Sequence, residues 1–265
     1  MPVCTLPGGQ TIGYDDAGSG PPLVLVHAFP FDRTMWAPQL AALAASARVL
    51  TLDVPGFGES PAAPELTIDG VAKTVSDFLA ALNIPKAIVG GLSMGGYVAL
   101  AFARNFADKL NGLILADTRA GVDDTNARAN RTKSIALVNE KGSAALFESM
   151  VPKVLSDSTR EVKPEVVERA KSIAARQPAS SVAAALAALR DRPDANPGLK
   201  AITVPTLILV GEFDAVTPPL SSANLAAQIR GSKLVHIPGA GHLSNIENPD
   251  SFNNAVRVFL GERPV

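Results

Sequence analysis

The sequence predicts an α/β fold in which a mostly parallel sheet carries helices on both faces. Two observations point there. Short apolar runs without alternation recur along the chain: "PPLVLVHAF", "ARVLTLDV", "KAIVGGL", "LNGLILAD", "PTLILVGEFD" and "SKLVHIPG". Strands buried on both faces read this way. Segments with helical periodicity fill the intervals, at 35–47, 67–83, 94–110, 220–230 and 248–261, so strands and helices alternate as in right-handed crossover units.

Taken in order, residues 2–6 and 10–15 read as two short strands joined by the "PGG" turn, a hairpin at one sheet edge. The run at 22–26 opens the alternating part. Residues 121–198 break the rhythm: they hold no β-branched run of strand length and many alanines, with helical patterns at 123–140, 143–155, 164–176 and 179–190 punctuated by Pro152, Pro164, Pro178 and Pro193. An all-helical insertion between two strands reads as a lid over the carboxyl edge of the sheet, where open α/β sheets bind ligands. The expected organisation is therefore a core of 1–120 and 199–265 with a cap of 121–198.

Composition narrows the function classes. The 265 residues are 47% hydrophobic and 18% charged, enough for a large core. Lys and Arg number 24 against 25 Asp and Glu, a net charge of −1 without basic blocks, which gives no electrostatic case for nucleic acid or an anionic membrane. Cys4 is the single cysteine, so no intrachain disulfide or cysteine metal cluster can form. The opening "MPVCTLPGGQTIGYDD" lacks a signal-peptide pattern, and Gly or Pro breaks each apolar window short of a membrane span. A soluble, cytoplasmic protein is expected.

The chemistry-bearing stretch is "IVGGLSMGGYVAL". Gly91-Leu92-Ser93-Met94-Gly95 matches G-x-S-x-G, with a strand before it and a helix after it. That context is a strained strand-to-helix turn that exposes a nucleophilic serine, beside helix N–H groups suited to an oxyanion. The competing reading is a serine that caps the helix on a glycine-rich turn. A serine nucleophile needs a base, most often histidine, and the chain has three histidines. His242, in the glycine-rich loop "IPGAGHLSNIENP", follows the last strand; His27 reads as a structural residue shaping its loop; His236 lies within the last strand, packed or on its outer face. The base in turn needs a carboxylate. Asp214 follows one strand and Asp117 follows another, and either fits. Asp214 gives the order Ser, Asp, His; its competing role is to cap the helix after Pro218 and Pro219.

The pieces "LVHAFP", "LDVPGFGESP", "GGLSMGGYVAL", "GLILADT", "PTLILVGEFDAVTP" and "IPGAGHLSNIENPDSF", in this order over 22–254, resemble the α/β-hydrolase superfamily, in its esterase-like branch with a helical lid. The resemblance implies an α/β-hydrolase fold with a sheet of about eight strands. It implies Ser93 as nucleophile, His242 as base, Asp214 as acid, and an oxyanion hole from the backbone N–H groups of Phe29 and Met94. Hydrolysis of carboxylic esters of small to medium acyl groups through an acyl-serine follows, on a small-molecule ester and without a cofactor. Where many relatives have His-Gly, this chain has His27-Ala28. The Phe29-Pro30 pair resembles cofactor-free haloperoxidase or perhydrolase relatives and also epoxide hydrolases, whose aspartate nucleophile Ser93 argues against.

Alternative activities on the same residues are perhydrolysis, enol-lactone hydrolysis and carbon–carbon bond hydrolysis; a ligand receptor on this fold is the alternative outside enzymes. Asp53 of "DVPGFGES" reads as an acceptor for turn N–H groups. Met35 and Trp36 read as core. Phe147, Met150 and Val151 either line an acyl pocket or form the cap's own packing face. His236, His242 and Glu247 lack a zinc spacing, and no phosphate or dinucleotide loop is present, so no metal is expected. The oligomeric state is not legible.

Overall fold

The computed structural model describes residues 3–261; Met1, Pro2 and residues 262–265, at the ends of the expected core segments, lie outside the described residues. Strands β1 (Val3–Thr5), β2 (Thr11–Ala17), β3 (Pro22–Val26), β4 (Arg48–Leu52), β5 (Ala87–Leu92), β6 (Leu110–Ala116), β7 (Thr206–Gly211) and β8 (Lys233–Ile237) form one sheet in the order β1-β2-β4-β3-β5-β6-β7-β8. β1, β2 and β4 pair antiparallel; every other pairing is parallel. The eight-stranded α/β-hydrolase architecture expected from the sequence is the one observed.

Except in β8, an edge strand with Lys233 and His236 exposed rather than the doubly buried strand its run suggests, the apolar runs lack alternation because successive residues enter two different cores. Leu23 and Leu25 of β3 face one cluster and Val24 and Val26 the other; Ile114 and Leu115 of β6 divide in the same way. On one face α2 (Ile68–Ala81) packs against α3 (Met94–Asn105), around Phe78 and Phe102. On the other, α1 (Ala37–Leu43) packs against α10 (Pro249–Gly261), around Trp36 and Phe252. Burial of each such phenylalanine contributes about 1.5–3 kcal/mol.

Two helices are shorter than their periodicity. The segment 35–47 is a 3₁₀ turn, Arg33–Trp36, followed by α1; Pro38 has no N–H to bond backwards, so it restarts the helix in its first turn. The segment 94–110 stops at Asn105 because Phe106 leaves helical geometry (φ −139°, ψ 40°), and a 3₁₀ turn leads into β6. α8 (Pro219–Gln228) precedes β8, and α9 (Ser244–Glu247) is a short turn that periodicity does not reveal.

Between β6 and β7 the chain is helical, with α4 (Thr125–Val154), α5 (Asp157–Val162), α6 (Pro164–Ala175) and α7 (Ala179–Asp191). α4 is broken at Gly142 (φ 80°, ψ 175°), matching the expected division between 123–140 and 143–155. A Cβ at Gly142 would meet nothing, so this glycine is there for its backbone angle. Among the described residues, no helix is long and apolar enough to cross a membrane.

The stems of this insertion are clamped by one buried carboxylate. Asp123 Oδ1 accepts from Arg119 Nη2 at 2.6 Å and Arg192 Nη2 at 2.8 Å, and its Oδ2 from Arg131 Nε at 3.1 Å. Arg192 also bonds Gly121 O and lies over the Tyr97 ring of α3 at 4.2 Å. Burial alone would raise the Asp123 carboxyl; the Arg192 hydrogen bond and the Arg131 charge outweigh it and hold the group at about 2, from an ordinary 3.8. A carboxyl held below its unfolded value contributes stability that is complete above about pH 4 and lost as pH falls towards 2, here about 2 kcal/mol. Asp123→Asn is accordingly expected to destabilise the protein by about 2 kcal/mol or more in urea unfolding near pH 7. The deficit should shrink between about pH 4 and 2; an equal deficit at both ends contradicts the ion-pair account.

Candidate active site

β5 ends at Leu92 and α3 begins at Met94, so Ser93 makes the whole turn. Its backbone sits at φ 54°, ψ −108°, a conformation that costs a side-chain-bearing residue about 1–3 kcal/mol and persists only where neighbours impose it. Here they do: Ser93 N–H donates to Ala116 O at 2.9 Å, and Thr118 Oγ1 donates to Ser93 O at 2.9 Å. The glycines allow the approach. A Cβ on Gly95 would lie 2.1 Å from Val26 O, and one on Gly91 would lie 2.3 Å from the Gly95 carbonyl carbon. The Ser93 side chain makes no capping bond to α3, which removes the capping reading. Met94, as the first helical residue, has no acceptor for its N–H within the helix.

The loop after β3 lies against this turn, with Gly95 beneath Val26 and His27. His27 is fully buried; its Nδ1 donates to Ala28 O at 2.9 Å and its Nε2 accepts from Val54 N–H at 3.0 Å. Both ring nitrogens are thus spent on backbone, and burial lowers its pKa. It joins the ends of β3 and β4, the structural role read from the sequence. Ala28 and Phe29 follow, and the Phe29–Pro30 bond is cis. Among the described residues, the Phe29 N–H meets no protein acceptor. Asp53 is an acceptor as expected, taking Arg33 N–H at 2.8 Å and Glu59 N–H at 2.9 Å. The Arg33 guanidinium, which it also pairs with, was not foreseen.

At the ends of β7 and β8, His242 Nδ1 lies 2.9 Å from Asp214 Oδ2, both residues buried. Asp214 is tied down further: Oδ1 accepts from Val216 N–H (2.8 Å) and Thr217 N–H (2.9 Å), and Oδ2 from Thr217 Oγ1 (2.7 Å). Burial opposes the Asp214 charge, but the His242 charge, its hydrogen bond and the Thr217 donors hold the carboxyl below its usual range. Thr217 escaped the sequence reading: the Asx-type turn of Asp214 is closed by Val216 N–H two residues on, and nothing in that pattern calls for the Thr217 hydroxyl that adds a further donor.

Asp117, the rival acid, is placed differently. Its carboxyl accepts from Gly211 N–H at 2.7 Å and pairs with Ser244 Oγ, and no bond joins it to His242 among the described residues. Burial, with the Asp214 charge nearby, pushes it well up. His236 is exposed on β8. Of the three proposed pocket residues, Phe147 is fully buried and edge-on to Phe31, 5.3 Å between centroids. Val151 shares that cluster, and half-buried Met150 touches both cores. Met35 and Trp36 are core, as read.

The insertion is stitched to the loop after β3. Asp32 receives Arg176 Nε and Nη2, each at 2.7 Å, and Gln177 Nε2 at 2.7 Å, while Gln177 Oε1 accepts Gly58 N–H at 3.0 Å. None of these polar partners was singled out from the sequence; their contacts span more than a hundred residues and leave no local pattern.

Comparison with known proteins agrees with this fold. A family profile described as "alpha/beta hydrolase fold" matches residues 21–249. The chain is 32% identical to 3-oxoadipate enol-lactonase 1 of Acinetobacter baylyi over 258 residues, covering 96% of this chain and 93% of that protein. Among solved structures, a malate-bound thermophilic esterase from Thermogutta terrifontis is 40% identical with a TM-score of 0.95, covering 98% of each chain. The enol-lactonase from Burkholderia xenovorans LB400 is 30% identical with a TM-score of 0.91, covering 98% of this chain and 100% of that one. The chain belongs to the α/β hydrolase fold family.

Proposed function

We propose that the protein is a serine hydrolase that cleaves carboxylic esters of small to medium acyl groups through an acyl-serine intermediate. The observation that carries this is a buried, hydrogen-bonded His242–Asp214 pair at the sheet edge where Ser93 occupies its strained turn. The ends of β5 and β7, which lead into Ser93 and Asp214, are two strand spacings apart, about 10 Å; the His242–Asp214 bond is in place, and among the described residues no hydrogen bond joins Ser93 Oγ to His242.

With Nδ1 donating to Asp214, His242 presents Nε2 as the base that takes the Ser93 Oγ proton. The hydroxyl oxygen attacks the ester carbonyl, and the oxyanion forms between the N–H groups of Met94 and Phe29. Loss of one such donor costs about 2.7–4 kcal/mol of barrier. His242 returns the proton to the leaving alcohol and then activates water against the acyl-enzyme. No step calls for a metal or an organic cofactor. The proposal includes a cytoplasmic location and residues 121–198 as a cap over the site, with Phe147, Met150 and Val151 on its acyl-facing side.

A second reading, hydrolysis of a lactone, has a specific support in the enol-lactonases to which the chain is 30–32% identical. A lactone is a cyclic ester and needs the same groups. A panel of p-nitrophenyl acetate, butyrate and octanoate beside a small enol-lactone separates the readings by kcat/KM. Peracid formation in acetate and peroxide reports perhydrolysis.

Ser93→Ala is expected to lower kcat on p-nitrophenyl butyrate by about 10,000-fold or more, with an unchanged melting profile; retained turnover contradicts the assignment. The two acids should separate sharply. Asp214→Asn is expected to reduce kcat about 10,000-fold, whereas Asp117→Asn, isosteric with a carboxyl pushed towards its neutral form, should change it less than about tenfold. Equal losses in the two variants would assign the acid wrongly.

A further inference from the structure

The loop that carries His242 has little side-chain substance of its own: it reads Pro238-Gly239-Ala240-Gly241-His242-Leu243. Such a loop is held by its backbone or not at all. Three consecutive N–H groups, those of Gly241, His242 and Leu243, are all satisfied from outside the loop. Gly241 N–H and Leu243 N–H donate to Glu247 Oε1 at 2.9 and 3.2 Å. His242 N–H and Leu243 N–H donate to Val154 O, at the end of α4, at 3.1 and 3.2 Å.

Glu247 also reaches the insertion. Its Oε2 accepts the Ser156 N–H at 2.8 Å, while Ser156 Oγ donates to Gly239 O at 2.9 Å and Lys163 Nζ to Glu247 O at 2.7 Å. Only 1% of Glu247 is exposed. A Cβ on Gly241 would stand 2.7 Å from Ser156 N and 3.1 Å from Glu247 Oε1, so the loop and the insertion meet in contact.

We propose that Glu247 is a positioning residue for His242: its two carboxylate oxygens fasten the histidine loop to the Leu155–Ser156 segment of the helical insertion, so that the insertion sets the register of the base. This rests on the reading of His242 as the base. The carboxylate is required because both oxygens face donors. A glutamine of the same shape offers one oxygen and one NH₂, and the NH₂ must face a backbone N–H. Either the Gly241–Leu243 link or the Ser156 link is then lost, without any change of volume. A displacement of about 1 Å in a catalytic group lowers the rate about a hundredfold while leaving substrate contacts in place.

The test compares Glu247→Gln with wild type on p-nitrophenyl butyrate, with kcat expressed per site titrated by the p-nitrophenol burst, so that unfolded protein does not count. The expected result is a fall in kcat of about tenfold to a hundredfold, KM within about twofold, and partial recovery in Glu247→Asp, which keeps both acceptors. An unchanged kcat per titrated site overturns the proposal, as does a rise in KM with kcat preserved. Should Glu247→Gln not fold, Gly241→Ala reads the same joint with Glu247 intact: its methyl wedges the loop from Ser156, and kcat should fall at constant KM. An unaffected kcat in that variant overturns the proposal equally. Failure of the His242 assignment is told apart by His242→Ala, which would then retain turnover.

Discussion

The arrangement depends on one backbone contact, the approach of Gly95 in the first turn of α3 to Val26 at the end of β3. The space is so close that a Cβ would fall 2.1 Å from Val26 O. With α3 seated that low, the chain leaving β5 has a single residue in which to reverse, and Ser93 takes the positive φ this demands. The same contact brings the start of α3 beside the loop after β3. Two N–H groups on different elements, those of Met94 and Phe29, thereby face a common space in the proposed mechanism. The proposed catalytic geometry is a consequence of helix-to-strand packing.

A second constraint comes from outside the sheet. Loops at the carboxyl edge of an α/β sheet are long and glycine-rich, and their own side chains cannot fix them. In this protein the insertion supplies what they lack. Arg176 and Gln177 bind Asp32 in the loop after β3, and Val154 O and Ser156 bind the loop after β8 directly and through Glu247 of α9. Asp123 and its three arginines in turn clamp the stems of the insertion to each other, and Arg192 sets them against α3. The α4–α7 segment is thus a brace for both loops.

The sheet was legible because buried parallel strands leave continuous apolar runs, and each run found became a strand. Ser93, Asp214 and His242 were legible as candidates because each follows such a run; of the two acids, Asp214, the one favoured from the sequence, is bonded to His242, while Asp117 is bonded to Gly211 and Ser244. What escaped was either short or distant. α5 and α9 have too few residues to display a period. The partners of Glu247 and Asp32 are backbone groups and side chains far along the chain, and a carboxylate that accepts backbone N–H groups looks the same in sequence as one facing solvent. The insertion was read as a helical cap, but its role as an anchor for the histidine loop lay in contacts that no motif encodes.

The central claim is that Ser93 carries the acyl group between the two halves of the reaction. Rapid-quench mass spectrometry of the intact protein with a slowly turned-over p-nitrophenyl ester, followed by peptide mapping, tests it directly. The account predicts a transient mass increase equal to the acyl group, located on the peptide containing Ser93 and decaying at the rate of turnover. Turnover without an adduct, or an adduct on another residue that forms and decays at the catalytic rate, would contradict it.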